Sequence, residues 1–206
     1  MHLRNALTLV AALTLLTACL EQPVEDQPFP VSYSMMNDAN YRLPAVPADK
    51  INPAYQRTLV ANPAPDEAPG TVIIDTATRH LFWIQDKKTA LRYGISVGRE
   101  GFAWSGTAVV DRKQQWPTWT PPPEMIKRQP ELAKWADGQP PGPKNPLGAR
   151  AIYLAQNGHD TGYRIHGTPE WSSIGRAASS GCIRMVNQDV IDLYARVSAG
   201  AKVIVR

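Results

Sequence analysis

A mainly β, single-domain fold with one helix near its C-terminus is predicted by three observations. From Thr71 onward, short runs rich in β-branched and aromatic residues alternate with Gly, Asp and Asn turn residues. Only the stretch from Asn187 to Gly200 carries a helical period. The last run, Lys202 to Val205, returns to strand composition. A domain of about 135 residues is large enough to bury a workable core.

The chain begins with an export-type segment. His2 and Arg4 give a short basic start, Ala6 to Leu16 is apolar, and Leu16-Thr17-Ala18-Cys19 follows. The apolar run falls short of the about 20 residues that span a bilayer as a helix. Residues 1–18 therefore read as a cleaved signal, and Leu16-Thr17-Ala18-Cys19 resembles a bacterial lipobox, which implies lipidation of Cys19. Leu20, rather than Asp, after that cysteine favours the outer membrane by resemblance to sorting rules of two-membrane bacteria. The plain alternative is an ordinary signal with Cys19 incidental.

Residues 19–69 carry nine prolines and no sustained apolar period, and read as a Pro-rich acidic tether, although Tyr41 to Tyr55 is able to pack on a domain surface. The catalytic-domain candidate is 70–206. Its expected strands are Thr71 to Ile74 and His80 to Ile84 joined by a turn over Asp75 to Arg79, then Leu91 to Val97 and Gly106 to Asp111. A hairpin follows, Ala151 to Ala155 and Gly162 to His166, with Asn157-Gly158 in its loop. In the helix, Asn187 is the expected N-cap, Val190, Ile191, Tyr194 and Val197 share a face, and Gly200 stops it. Between strands, a proline-stiffened insert runs from Trp116-Pro117-Thr118-Trp119 to Asn145-Pro146-Leu147-Gly148. Its Trp116 and Trp119 are either a substrate wall or a lid folded on the core.

Charge is uneven along the chain. Residues 19–69 hold three basic and seven acidic side chains, whereas 70–206 hold 18 basic and 11 acidic, a net +7. The excess suits an anionic partner such as a carboxylate-rich polymer. Export and the lack of a nucleic-acid motif exclude nucleic acid.

Chemistry concentrates on two residues. His166 and Cys182 lie sixteen positions apart, and Cys182 is the cysteine left once Cys19 is lipidated. A thiol becomes a strong nucleophile when an imidazole takes its proton, whereas a buried cysteine without such a partner is simply a small hydrophobe. His166 is the candidate base, and Gly167 leaves its contacts with backbone unobstructed. The N–H groups of Ser180, Gly181 and Cys182 are candidates for an oxyanion hole. Arg184 can hold a substrate carboxylate with two prongs or brace the loop through an ion pair. Ser179 braces the turn or touches substrate. His80 and His159 read as structural or solvated.

His166-Gly167-Thr168, Ile174-Gly175 and Ser179-Ser180-Gly181-Cys182-Ile183-Arg184-Met185 together resemble the L,D-transpeptidases with a YkuD-type catalytic domain, in the branch carrying Cys-Ile-Arg-Met. Val97 to Phe102, Trp116 to Trp119, Glu124-Met125-Ile126 and Asn145 to Gly148 extend the likeness over roughly residues 70–206. Many relatives have histidine where Ser180 stands, so the role of that second imidazole does not transfer. The resemblance implies a β-sandwich-type domain and a cysteine-dependent acyltransferase of the cell envelope, with no metal and no organic cofactor. It implies that Cys182 attacks the third residue of a peptidoglycan stem tetrapeptide, expels D-alanine, and passes the acyl group to an amine. That amine belongs to another stem, giving a 3-3 crosslink, or to a protein anchored to the wall. A hydrolase using water as acceptor and a catalytically silent wall-binding lipoprotein are the alternatives.

Overall fold

The computed structural model of the chain describes residues 26–28, 32–98, 104–179 and 181–206, with Pro28 and Ser179 described by backbone alone. The signal at 1–18, Cys19, Leu20 and Ser180 lie outside the described residues, as do 99–103.

Fourteen strands and two helices are described. The strands are β1 (Gln27–Pro28), β2 (Met36–Asp38), β3 (Tyr41–Leu43), β4 (Thr58–Ala61), β5 (Val72–Asp75), β6 (His80–Ile84), β7 (Thr89–Gly94), β8 (Val97–Gly98), β9 (Gly106–Gln115), β10 (Arg150–Gln156), β11 (His159–Thr168), β12 (Ala177–Ser179), β13 (Ile183–Val186) and β14 (Lys202–Val205). The helices are α1 (Pro123–Arg128) and α2 (Asn187–Arg196).

Ten strands form one sheet in the order β1-β4-β7-β6-β5-β14-β9-β10-β11-β13. Its pairs are antiparallel except β5–β14 and β11–β13. The sheet folds back on itself. Just past β7, Ser96 and Arg184 of β13 exchange both backbone hydrogen bonds at 2.9 Å. One core results, in which Val72, Ile74, Leu81, Leu91, Ile152, Leu154, Ile165 and Val203 are fully buried. This is the mainly β, sandwich-type arrangement expected.

Local chemistry explains several joints. The β10–β11 hairpin turns on Asn157 and Gly158 at φ +52° and +78°, the left-handed pair of a tight turn that matches strand twist. Helix α2 lays Val190, Leu193 and, just past its end, Val197 on the core, while Ile191 turns to a second cluster with Leu43 and Trp116. Lys113 Nζ donates to the carbonyls of Tyr194 and Val197 at 2.8 and 2.6 Å, satisfying the C-terminal end of the helix. Asn187 is not the N-cap. Val186 holds that position, and the Asn187 side chain instead ties β10 to β11, accepting from Ala149 N at 2.8 Å and donating to Thr168 O at 3.0 Å.

The tether expectation is corrected over residues 32–69. Tyr33, Val46 and Ile51 form a buried cluster with Val186, and β4 is an inner strand paired to β7. The prolines here set turns rather than extension: Pro53 opens a 3-10 turn after Asn52, whose side chain accepts from Ala54 N at 3.0 Å. The buried apolar residues are too irregularly spaced for a period to reveal them. No helix among the described residues is long and apolar enough to cross a membrane.

Candidate active site

The parallel register of β11 and β13 assembles the site. Ile165 faces Ile183 and His166 faces Arg184, so extending the pairing by one residue brings Cys182 level with Arg164. Successive side chains on a strand point to opposite faces. Ile165 and Ile183 point into the core, which leaves Arg164, His166, Cys182 and Arg184 together on the other face. Before Cys182 the chain turns through Gly181 at φ +121°, a backbone that a side chain would strain. Gly167 is fixed by space rather than φ: a Cβ there would lie 2.2 Å from Asn187 Oδ1 and 3.2 Å from Ala149 N.

His166 is 4% exposed, and its Nδ1 contacts the Gly167 carbonyl oxygen. A carbonyl only accepts, so Nδ1 carries the proton and the Nε2 lone pair is left as the base. Burial pushes the imidazole down to about 4, and the charges of Arg184 and Arg164 push the same way. Burial pushes the Cys182 thiol up, opposed by a hydrogen bond from the Arg164 main chain and by the charges of Arg164 and Arg184. At neutral pH the resting site is therefore a neutral thiol near a neutral imidazole, with two guanidinium groups positioned to favour negative charge on sulfur.

Residues 69–205 match the profile of the YkuD family, the L,D-transpeptidase catalytic domain. The chain belongs to this family. It is 35% identical over 148 residues to the Escherichia coli K12 protein named "Probable L,D-transpeptidase ErfK/SrfK", an alignment covering 68% of this chain and 44% of that one. Bacillus subtilis YqjB, whose name places it with the L,D-transpeptidases, is 32% identical over 146 residues, covering 70% and 74%. Among solved structures, one titled "Probable carnitine operon oxidoreductase caia" from Brucella melitensis is 44% identical, with a TM-score of 0.52 over 76% of this chain and 96% of that one. The chain spans less than half the length of the first curated relatives it matches.

Within this YkuD domain, the expected site residues separate. Arg184 lies beside His166 and is held by Glu170, its Nη1 3.0 Å from the carboxylate. The Arg184–Glu170 pair is solvent-facing, with Glu170 69% exposed, so a substrate carboxylate can exchange for it at little cost. Ser179 contributes backbone to β12, which pairs with β8. Trp116 is corrected: it is 6% exposed, its ring lies 4.3 Å from that of Tyr41, and its Nε1 donates to Asp38 Oδ2 at 2.9 Å. It anchors the insert beneath the β2–β3 hairpin and is no substrate wall. Trp119, half-buried, closes the insert by exchanging backbone hydrogen bonds with Gln139 at 3.0 and 2.7 Å. Arg164 went unnoticed in the sequence, although strand alternation places it on the face of His166. Among the described residues no three His, Cys, Asp or Glu side chains gather as a metal site. Gly181 and Ile183 also line a cavity of about 330 Å³ together with Val97, Trp104, Tyr163 and Val205, on the core side of the strands.

Proposed function

We propose that the protein is a cysteine acyltransferase acting on peptidoglycan stem peptides. The observation that carries this is the shared face of His166 and Cys182, with Nε2 left as the base of an imidazole that is neutral at rest. As sulfur attacks the carbonyl of the third stem residue, the thiol proton passes to His166 Nε2. Main-chain N–H groups around Gly181 and Cys182 are the oxyanion donors, and Arg164 and Arg184 favour the developing negative charge. Collapse breaks the C–N bond, and His166 returns its proton to the departing D-alanine nitrogen. An amine then attacks the thioester, His166 takes its proton, and the thiol is regenerated. A stem amine gives a 3-3 crosslink and a protein amine gives an anchored protein. The oxidoreductase title of the Brucella structure remains that protein's own, since the family and the curated relatives carry the transpeptidase name.

Intact-protein mass spectrometry after incubation with a carbapenem, whose strained amide is an acyl donor, tests the thiol. An adduct on the wild type that is lost in Cys182→Ala is expected, and no adduct, or one that persists in the variant, ends the proposal. Products from tetrapeptide muropeptides distinguish transfer, which yields dimers, from hydrolysis, which yields tripeptides alone. We also propose export and lipidation at Cys19. A Cys19→Ser form that still carries lipid and partitions with membranes would overturn that.

A further inference from the structure

The loop that delivers Cys182 leaves β11 at Thr168 and enters β13 at Ile183. Gly175 N donates to Ile95 O at 2.9 Å, Val97 N and the Ser96 hydroxyl donate to Arg176 O at 3.2 and 2.9 Å, and β12 then runs parallel to β8. Fully buried Ser96, bonded also to Arg184, thus ties the loop on both sides of the nucleophile. Cys182 stands one residue before β13, so its place depends on the loop behind it as well as on the ladder ahead.

A further support reaches this loop from outside the residues 69–205 that match the family profile. Tyr55 ends the 3-10 turn that Pro53 opens, and it is wedged between the sheet and the loop. Its main chain lies against Gly94, the last residue of β7, where a Cβ would come within 2.8 Å of Tyr55 Cα. Its ring lies against Gly175, where a Cβ would come within 2.7 Å of Cδ2 and 2.9 Å of Cζ. Only hydrogen fits at either glycine, and Gly175 also has φ +82°, where a side chain is strained. His80 closes the remaining side, its ring 5.2 Å from that of Tyr55 and its Nε2 donating to Ala54 O at 2.9 Å. Trp171 and Ile174 of the same loop pack with Tyr55 on the cluster of Tyr33, Val46, Ile51 and Val186.

Resting on the acyl-transfer reading above, we propose that Tyr55 is a positioning residue for the nucleophile: its ring, braced on Gly94 and His80, fixes Gly175 and through β12 sets where Cys182 stands relative to His166. The two members of the pair are held differently. His166 is carried by the ladder of β11 with β10, whereas the wedge bears on the loop of Cys182, so the wedge governs the gap between them. A misplacement of about 1 Å at the reacting groups costs on the order of 100-fold in rate. Ring bulk does this work, and the Tyr55 hydroxyl is not needed for it.

The test follows acylation of Cys182 by a carbapenem over a range of concentrations, which separates the rate at saturation from the half-saturating concentration. Tyr55→Ala is expected to slow the saturated rate about 10- to 100-fold while the half-saturating concentration changes less than about threefold, and Tyr55→Phe, which keeps the ring, stays within about twofold of wild type. Val60→Ala, a truncation in the separate cluster of Ile73, Ile84 and Ala90, loses stability without slowing acylation. Gly175→Ala drives a methyl group into the same contact and slows acylation too, and its loss does not multiply with that of Tyr55→Ala in the double variant. A wild-type rate in folded Tyr55→Ala overturns the proposal, as does equal slowing in Val60→Ala, which assigns the effect to stability alone. Multiplying losses in the double variant also overturn it, by detaching Tyr55 from Gly175. Should Tyr55→Ala not fold, a folded Gly175→Ala at the wild-type rate is enough to overturn it. A wild type that forms no adduct at all instead removes the acyl-transfer reading on which the proposal rests.

Discussion

His166 and Asp189 are buried almost equally, at 4% and 0% exposure, yet their surroundings turn them to different ends. Asp189, in α2, accepts from the Tyr33 hydroxyl at 3.0 Å and lies 3.7 Å from Arg57. Arg57 also meets Asp192 at 2.6 Å, and Asp192 accepts from Tyr93 at 2.6 Å and from both prongs of Arg196. The network sews residues 33–57 to the helix behind the catalytic strands. His166, by contrast, has a carbonyl on one nitrogen, and the charges bearing on it are both positive. Burial with a counter-ion makes a brace; burial without one leaves a group free to take and return a proton.

Five experiments test that contrast, the largest effect first. Cys182→Ala should lower acyl transfer by at least about 1,000-fold, since the nucleophile has no substitute, while its melting temperature stays close to wild type. Activity within tenfold of wild type would place the chemistry elsewhere. Arg57→Ala should do the reverse, costing about 3–5 kcal/mol of stability by leaving the buried Asp189 without its cation. Denaturant unfolding measures it, and a cost below about 1 kcal/mol would deny the brace its role.

pH separates the two sites next. With His166 held down to about 4, kcat/KM for acylation should keep its base until pH falls through that region, and an acid limb near the ordinary 6.5 would contradict the neutral resting imidazole. Asp189 works in the opposite sense. Its folded value, about 7, stands above the unfolded 3.8, because burial outweighs the pull of Arg57. Between those values the unfolded chain releases the proton first, so raising pH through the window removes stability. Asp189→Asn lacks this loss, and its melting temperature should gain on wild type from pH 4.5 to pH 7.5; a constant difference would show that Asp189 does not titrate there. The smallest effect belongs to Trp116→Phe, which loses the bond to Asp38 but keeps most of the ring, at about 1 kcal/mol. A marked rise in KM for stem peptide with unchanged stability would return Trp116 to the substrate wall.

Features set by neighbours in sequence were legible before the fold. His80 to Ile84 and Lys202 to Val205 are strands with the expected ends, and Asn157-Gly158 makes the hairpin its dipeptide predicts. His166 and Cys182 were legible because a motif marks them, and the register supplies the face they share. What was hidden depends on distant partners. Asn187 has the side chain of a cap but spends it on Ala149 and Thr168, tertiary contacts that no local pattern encodes. Trp116 is indistinguishable from a surface tryptophan until Asp38 and Tyr41 arrive from residues read as tether.

The pairing of β1 with β4 fixes how far the enzyme can roam. With lipid on Cys19 as proposed, only residues 19–25 separate the anchor from Asp26, which Arg92 of β7 holds at 3.1 Å, and seven residues fully extended cover at most about 25 Å. A fifty-residue leash would have let the thiol search deep into the wall. On that proposal the short one holds the domain at the bilayer surface, within reach only of the wall peptides that the mesh brings down to it.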